Sequence, residues 1–138
     1  MNKLLRKVAV APCAGIGQIF GAITREVGYR LVEDVWPEKT VLVCPPALAV
    51  DVREDLEFIH GHPVVVLNGC QDRCATKLVL AKGGRLDAEV YLPDILKSAR
   101  LSLQGEKRSR LGPKSQQAIE LMTEQAAQIV AGLLSDDL

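Results

Sequence analysis

The sequence predicts an α/β domain: a three-layer Rossmann-like or flavodoxin-like fold with a mostly parallel four-stranded sheet and a C-terminal helix. Three observations carry this. Short apolar runs rich in valine recur along the chain, bounded by Pro and Gly, as strands buried on both faces are. Segments with helical spacing separate them. The 138 residues are enough for one domain with a substantial core and no disulfide staples, so residues 1–138 are read as a single unit.

The first strand is Val8 to Ala11. Ile16 to Val32 then places Ile16, Ile19, Phe20, Ile23, Val27 and Leu31 on one helical stripe. Val41 to Val43 is the second strand, and a helix is predicted over Leu48 to Ile59 from Val52, Leu56 and Ile59. Val64 to Leu67 is the third strand, followed by a helix over Thr76 to Lys82 and a weaker fourth strand, Ala88 to Leu92. Strands joined by helical crossovers are parallel with right-handed connections, so their C-terminal ends share one edge. The predicted strand order is 2-1-3-4.

Beyond the fourth strand, Pro93 to Leu103 reads as a short helix. The polar, basic stretch 104–113, with Lys107, Arg108 and Arg110, reads as a mobile loop. Residues 114–134 carry Ile119, Met122, Ala126, Ile129, Val130 and Leu133 on one stripe, a helix expected to cover the sheet or a sister subunit of a homo-oligomer.

All four cysteines fall at the strand C-terminal edge, where open α/β sheets bind ligands. Cys13 follows the first strand, Cys44 closes the second, Cys70 follows the third, and Cys74 lies at the start of the next helix. Four thiolates match the ligand number of tetrahedral zinc or of an iron-sulfur cluster. The spacing is not that of a zinc ribbon, since only Cys70 and Cys74 are close in sequence. Thiol redox or sulfur transfer by the same cysteines is the competing chemistry, and burial as small apolar residues is the plain one. Pro45-Pro46 should keep Cys44 extended, and Gly69 allows close approach before Cys70. The amides of Gly15 to Gly17 could donate to sulfur or to a small anionic ligand. Asp72 is expected to cap the helix that carries Cys74, and the helix N-terminus with Arg73 or Lys77 to favour its thiolate. A closed four-sulfur zinc site would be structural or metal-handling, because catalytic zinc keeps an open position. The residues leave open whether the protein is an enzyme.

Several classes are disfavoured. Lys plus Arg and Asp plus Glu are equal at 17 each, which argues against a nucleic-acid partner. The apolar stretch after the basic start ends at Pro12, too short for a signal h-region, and nothing suggests a membrane partner. A reducing cytoplasm is therefore the expected compartment, where such cysteines more often mean metal or redox chemistry than disulfides. Gly15-x-Gly17-x-x-x-Gly21 has its third glycine one residue late for a dinucleotide fingerprint and reads as a tight turn. No arginine stands six residues after any cysteine, where a phosphatase loop needs one; Ile19, Val50, Thr76 and Leu80 are there instead. His60 and His62 precede the third strand, about 16 Å from Cys70 at ~3.3 Å per strand residue, and should lie at the opposite edge.

Pro12-Cys13-Ala14-Gly15-Ile16-Gly17, Thr24-Arg25-Glu26, Cys44 and Asn68-Gly69-Cys70-Gln71-Asp72-Arg73-Cys74-Ala75 together resemble the DGC-type family of zinc-binding proteins. That family is named for an Asp-Gly-Cys motif and is described as having four chelating cysteines. The resemblance implies Cys13, Cys44, Cys70 and Cys74 as metal ligands, without saying which metal. Asn68 stands where the motif has Asp. Around a thiolate centre, Gly15, Gly17, Arg25, Asn68, Gly69 and Arg73 are the candidates for supporting contacts.

Overall fold

The structure, a computed structural model, describes residues 6–135. Strands β1 (Val8–Pro12), β2 (Thr40–Leu42), β3 (Val64–Asn68) and β4 (Ala88–Tyr91) form one sheet in the order β2-β1-β3-β4, with every neighbouring pair parallel. This is the predicted order. Every residue of β1 and β3 is buried, which is why those runs show no polar alternation.

Strand alternation divides the core. Val8, Val10, Val65, Leu67 and Val90 face helices α1 (Ile19–Arg30), α5 (Leu92–Ala99) and α6 (Pro113–Ser135), meeting Ile23, Val27, Ile95, Ile119 and Met122. Ala9, Ala11, Val43, Val64 and Val66 face α2 (Pro45–Ala49), α3 (Arg53–Gly61) and α4 (Cys74–Ala81), meeting Leu48, Ile59, Ala75 and Val79. The result is the three-layer α/β architecture read from the sequence.

Helix boundaries depart from the apolar stripes in instructive ways. Helix α1 starts at Ile19 rather than Ile16, and Ile16 is 85% exposed. Residues 16–18 form a bend that follows Ala14, which is at φ 53°. At its other end α1 runs into a π-helical turn, Leu31–Val35, closed by the Trp36 N–H donating to Leu31 O. Trp36 Nε1 then donates to Ala127 O, tying this turn to α6.

The single helix predicted over Leu48 to Ile59 is two helices. Proline at the first positions of α2 suits a helix start, where its missing N–H costs nothing. Asp51, at φ 64°, then stops α2: its N–H donates to Leu48 O while the Val52 N–H returns to Ala47 O. That paired closure usually uses glycine. Arg100, at φ 51°, ends α5 the same way, with the Leu101 N–H on Leu96 O, so α5 stops short of Leu103. Between α5 and α6, Glu106 Oε1 accepts from the N–H groups of Gly112 and Ser115 at 2.8 and 2.9 Å, joining the loop to the first turn of α6. Hydrogen bonding from Ser115 and then the neighbouring amides pulls the Glu106 carboxyl below its usual range.

Candidate thiol and metal site

The chain leaves β1 toward β2 across one face and β3 toward β4 across the other. The ends of β1 and β3 therefore flank the topological switch point, where this class of sheet opens a crevice. Cys13 sits there, its N–H donating to Leu67 O at 2.9 Å, and Cys70 follows β3 beside it.

The Cys13 loop is seated on the first turn of α1. The Ala14 N–H donates to Thr24 Oγ1 at 3.1 Å, and the buried Thr24 hydroxyl donates in turn to Gly21 O. A Cβ at residue 21 would lie 1.9 Å from Gly15 O, so only glycine permits this approach. The glycine spacing noted in the sequence thus serves loop-to-helix packing. Gly17 is exposed, and its carbonyl accepts from Arg108 at 2.9 Å. Gly69 is likewise pressed against the backbone of Phe20 in α1, where a Cβ would meet atoms at 2.8 to 3.0 Å.

After Gly69 the chain makes a tight turn. The Arg73 N–H donates to Cys70 O at 3.1 Å, Arg73 adopts φ 49°, ψ 48°, and α4 begins at Cys74. Asp72 does not cap this helix. Arg73 takes the N-cap position without a side-chain cap, and the Cys70 thiol points to Asp72 Oδ2 at 3.8 Å instead. The Cys74 thiol is pushed up, first by burial and then by Cys13, Asp72 and Cys70, with only Lys77 opposing. The expected lowering at a helix N-terminus is outweighed by burial and then by these neighbouring groups, and the Arg73 guanidinium is engaged by Glu89.

Cys44 stands apart. Leu42 packs toward α1 and Val43 toward the other face, so the extended Cys44 returns to the α1 side. There it is exposed and lines a cleft of about 230 Å³ with Pro12, Arg25 and Tyr29. Its N–H donates to the buried carboxylate of Asp55 at 2.8 Å. The four cysteines share one sheet edge, with Cys13, Cys70 and Cys74 forming an electrostatic group and Cys44 on the α1 side of it. The donor set suits a soft or borderline ion by chemistry. Among the described residues, however, no three His, Cys, Asp or Glu side chains stand close enough together to hold an ion.

Glu89 lies in the weak fourth strand and carries no sequence signal of its own. It accepts from Asn68 Nδ2 at 2.6 Å and forms a short ion pair with Arg73. Asn68 also donates to Thr76 Oγ1 at 2.7 Å, and the Arg73 guanidinium lies 3.9 Å from the centre of the Tyr91 ring. Beside Cys70, a cleft of about 540 Å³ is lined by Phe20, Asp72, Tyr91, Pro93 and Leu96. The histidines lie at the far end of the sheet as expected, His60 Nε2 against Lys82 O and His62 lowered by burial and then by Lys7.

The family profile described as DGC domain matches residues 9–131. The chain belongs to the DGC family. The match runs past β4 into α6, so the C-terminal helix belongs to the family's domain. No curated protein and no solved structure gives a significant match. In this DGC protein the signature reads Asn68-Gly69-Cys70, and the structure gives a reason for the amide: it donates to Glu89, where an aspartate would place two carboxylates within hydrogen-bond distance. No helix among the described residues is long and apolar enough to cross a membrane.

Proposed function

We propose that this DGC protein binds a metal ion, zinc in the first place, through the thiolates of Cys13, Cys70 and Cys74, with Cys44 as the fourth ligand, in a structural or metal-handling role. The observation that carries the reading is the placing of Cys13 after β1, Cys70 after β3 and Cys74 at the start of α4, around the switch point of the sheet where this fold class binds ligands. Four thiol donors at one such edge are the chemistry a borderline ion takes up. Membership of the DGC family supports the same reading. A reducing cytoplasm is the compartment that would keep the four thiols available.

The position of Cys44 favours a second reading. An exposed thiol opening on its own cleft beside Arg25 suits thiol redox or sulfur transfer with a small anionic partner, leaving Cys13, Cys70 and Cys74 to a metal with one open position. An iron-sulfur cluster would use the same donors.

Metal and acid-labile sulfide content of protein purified without oxygen separates the three. Near-stoichiometric zinc that is lost in both Cys44→Ser and Cys74→Ser supports the four-cysteine site. Zinc lost in Cys74→Ser and kept in Cys44→Ser points to a three-thiolate site with a free Cys44. Iron with sulfide indicates a cluster, and folded metal-free protein with reactive thiols refutes the metal reading.

A further inference from the structure

We propose that Glu89 is a positioning residue: with Asn68 and Arg73 it forms a latch that sets the Cys70 to Cys74 turn before any ligand arrives. The inference rests on the reading of those two cysteines as working thiols, and it adds the device that holds them.

Glu89 pairs in register with Val66, on the α4 side of the sheet. Its two carboxylate oxygens are spent on different segments. Oε2 accepts from Asn68 at the end of β3, and Oε1 accepts from Arg73 at the start of α4. One side chain from β4 therefore clamps both ends of the turn that bears Cys70. With both oxygens occupied, Glu89 serves as a brace and not as a ligand.

Arg73 needs such a brace. A left-handed backbone is unfavourable for a residue with a long side chain, and nothing in the local sequence compels it. The ion pair to Glu89 and the stacking over Tyr91 hold the guanidinium from two directions. That left-handed residue redirects the chain so that Cys74 opens α4 within the field of Cys13 and Cys70.

Asn68 adds an independent sign of constraint. It is fully buried, and its amide hydrogens go to Thr76 and Glu89, which leaves Oδ1 without a partner. An orphaned buried acceptor is a cost that native structures rarely carry without a positional reason. Here the orientation that orphans Oδ1 is the one that engages Glu89. A turn ordered in advance binds a two-thiol ligand without the entropy of ordering it on arrival.

The test uses phenylarsine oxide, which bridges two thiols, on the metal-free protein, with zinc affinity measured separately by chelator competition. Glu89→Ala removes the latch. Glu89→Gln keeps the shape but exchanges one of the two acceptors for a donor, and Arg73→Gly keeps the left-handed backbone accessible without the guanidinium. Glu89→Ala and Arg73→Gly should each lose about tenfold in arsenical affinity, the scale of re-ordering roughly one backbone residue, while Glu89→Gln, which still accepts from one of the two segments, should lose less than Glu89→Ala. The rate of Cys44 alkylation, on the other side of the edge, should not change. Arsenical affinity equal to wild type in both Glu89→Ala and Arg73→Gly overturns the latch, as does a loss accompanied by an equal rise in Cys44 alkylation. A wild-type protein that takes the arsenical but no zinc ends the metal reading and leaves the latch standing.

Discussion

Replacing Gly21 with alanine tests whether the Cys13 loop is held by α1 or merely lies near it. The new Cβ would sit 1.9 Å from Gly15 O, 2.5 Å from Gly15 N and 2.7 Å from Gly15 C, all backbone atoms that no rotamer change can move. Ordinary contact begins near 3.4 Å, so the loop must retreat by about 1.5 Å. A retreat of that size breaks the 3.1 Å bond from the Ala14 N–H to Thr24 Oγ1. Overpacking costs about 1–3 kcal/mol and the lost hydrogen bond about 1 kcal/mol. Alanine's better helix propensity offsets at most ~1 kcal/mol near the first turn of α1. The net expectation is a loss of about 1–3 kcal/mol, read as a lower urea midpoint with unchanged slope. Cys13 should also react faster with iodoacetamide, since its loop no longer rests on the helix. A Gly21→Ala protein as stable as wild type, with Cys13 labelling unchanged, would refute the argument and show that the loop yields at little cost.

Three further outcomes follow from contacts described above. Asn68→Asp places a carboxylate where the amide donated to Glu89 and should cost roughly 1–3 kcal/mol in urea unfolding, with much of the loss restored when Glu89→Gln is added. Glu106 has a lowered carboxyl pKa, so its contribution to stability is present above about pH 5 and is lost as pH falls through the lowered value; Glu106→Gln should flatten that acid limb of the thermal-stability profile. Met122→Ala, at a fully buried position under the sheet, should lose about 2–5 kcal/mol while leaving metal content and arsenical affinity per folded molecule unchanged.

The sheet was legible because its central strands are buried on both faces and therefore appear as unbroken apolar runs at Val8 to Ala11 and Val64 to Leu67. The helix ends were less so. Asp51 and Arg100 stop α2 and α5 in the left-handed conformation that glycine usually marks, so the stripe through Val52, Leu56 and Ile59 extended one helix across a break. At the site, the places of Cys13, Cys70 and Cys74 after β1, after β3 and at the start of α4 were readable along the chain. The separate outlook of Cys44 was readable too, in the alternation from Leu42, but proximity to a shared edge masked it. Glu89 could not be found that way: its partners Asn68 and Arg73 lie 21 and 16 residues upstream, joined to it only by the pairing of β3 with β4.

Cys44 opens toward α1, while Cys74 begins α4 on the other side of the sheet. An ion that engaged both thiols would act as a rivet through the sheet edge, fastening the helical layers on its two faces to one another. Its arrival would slow amide exchange in α1 and α4 together, and removing the Cys44 thiol would uncouple the two.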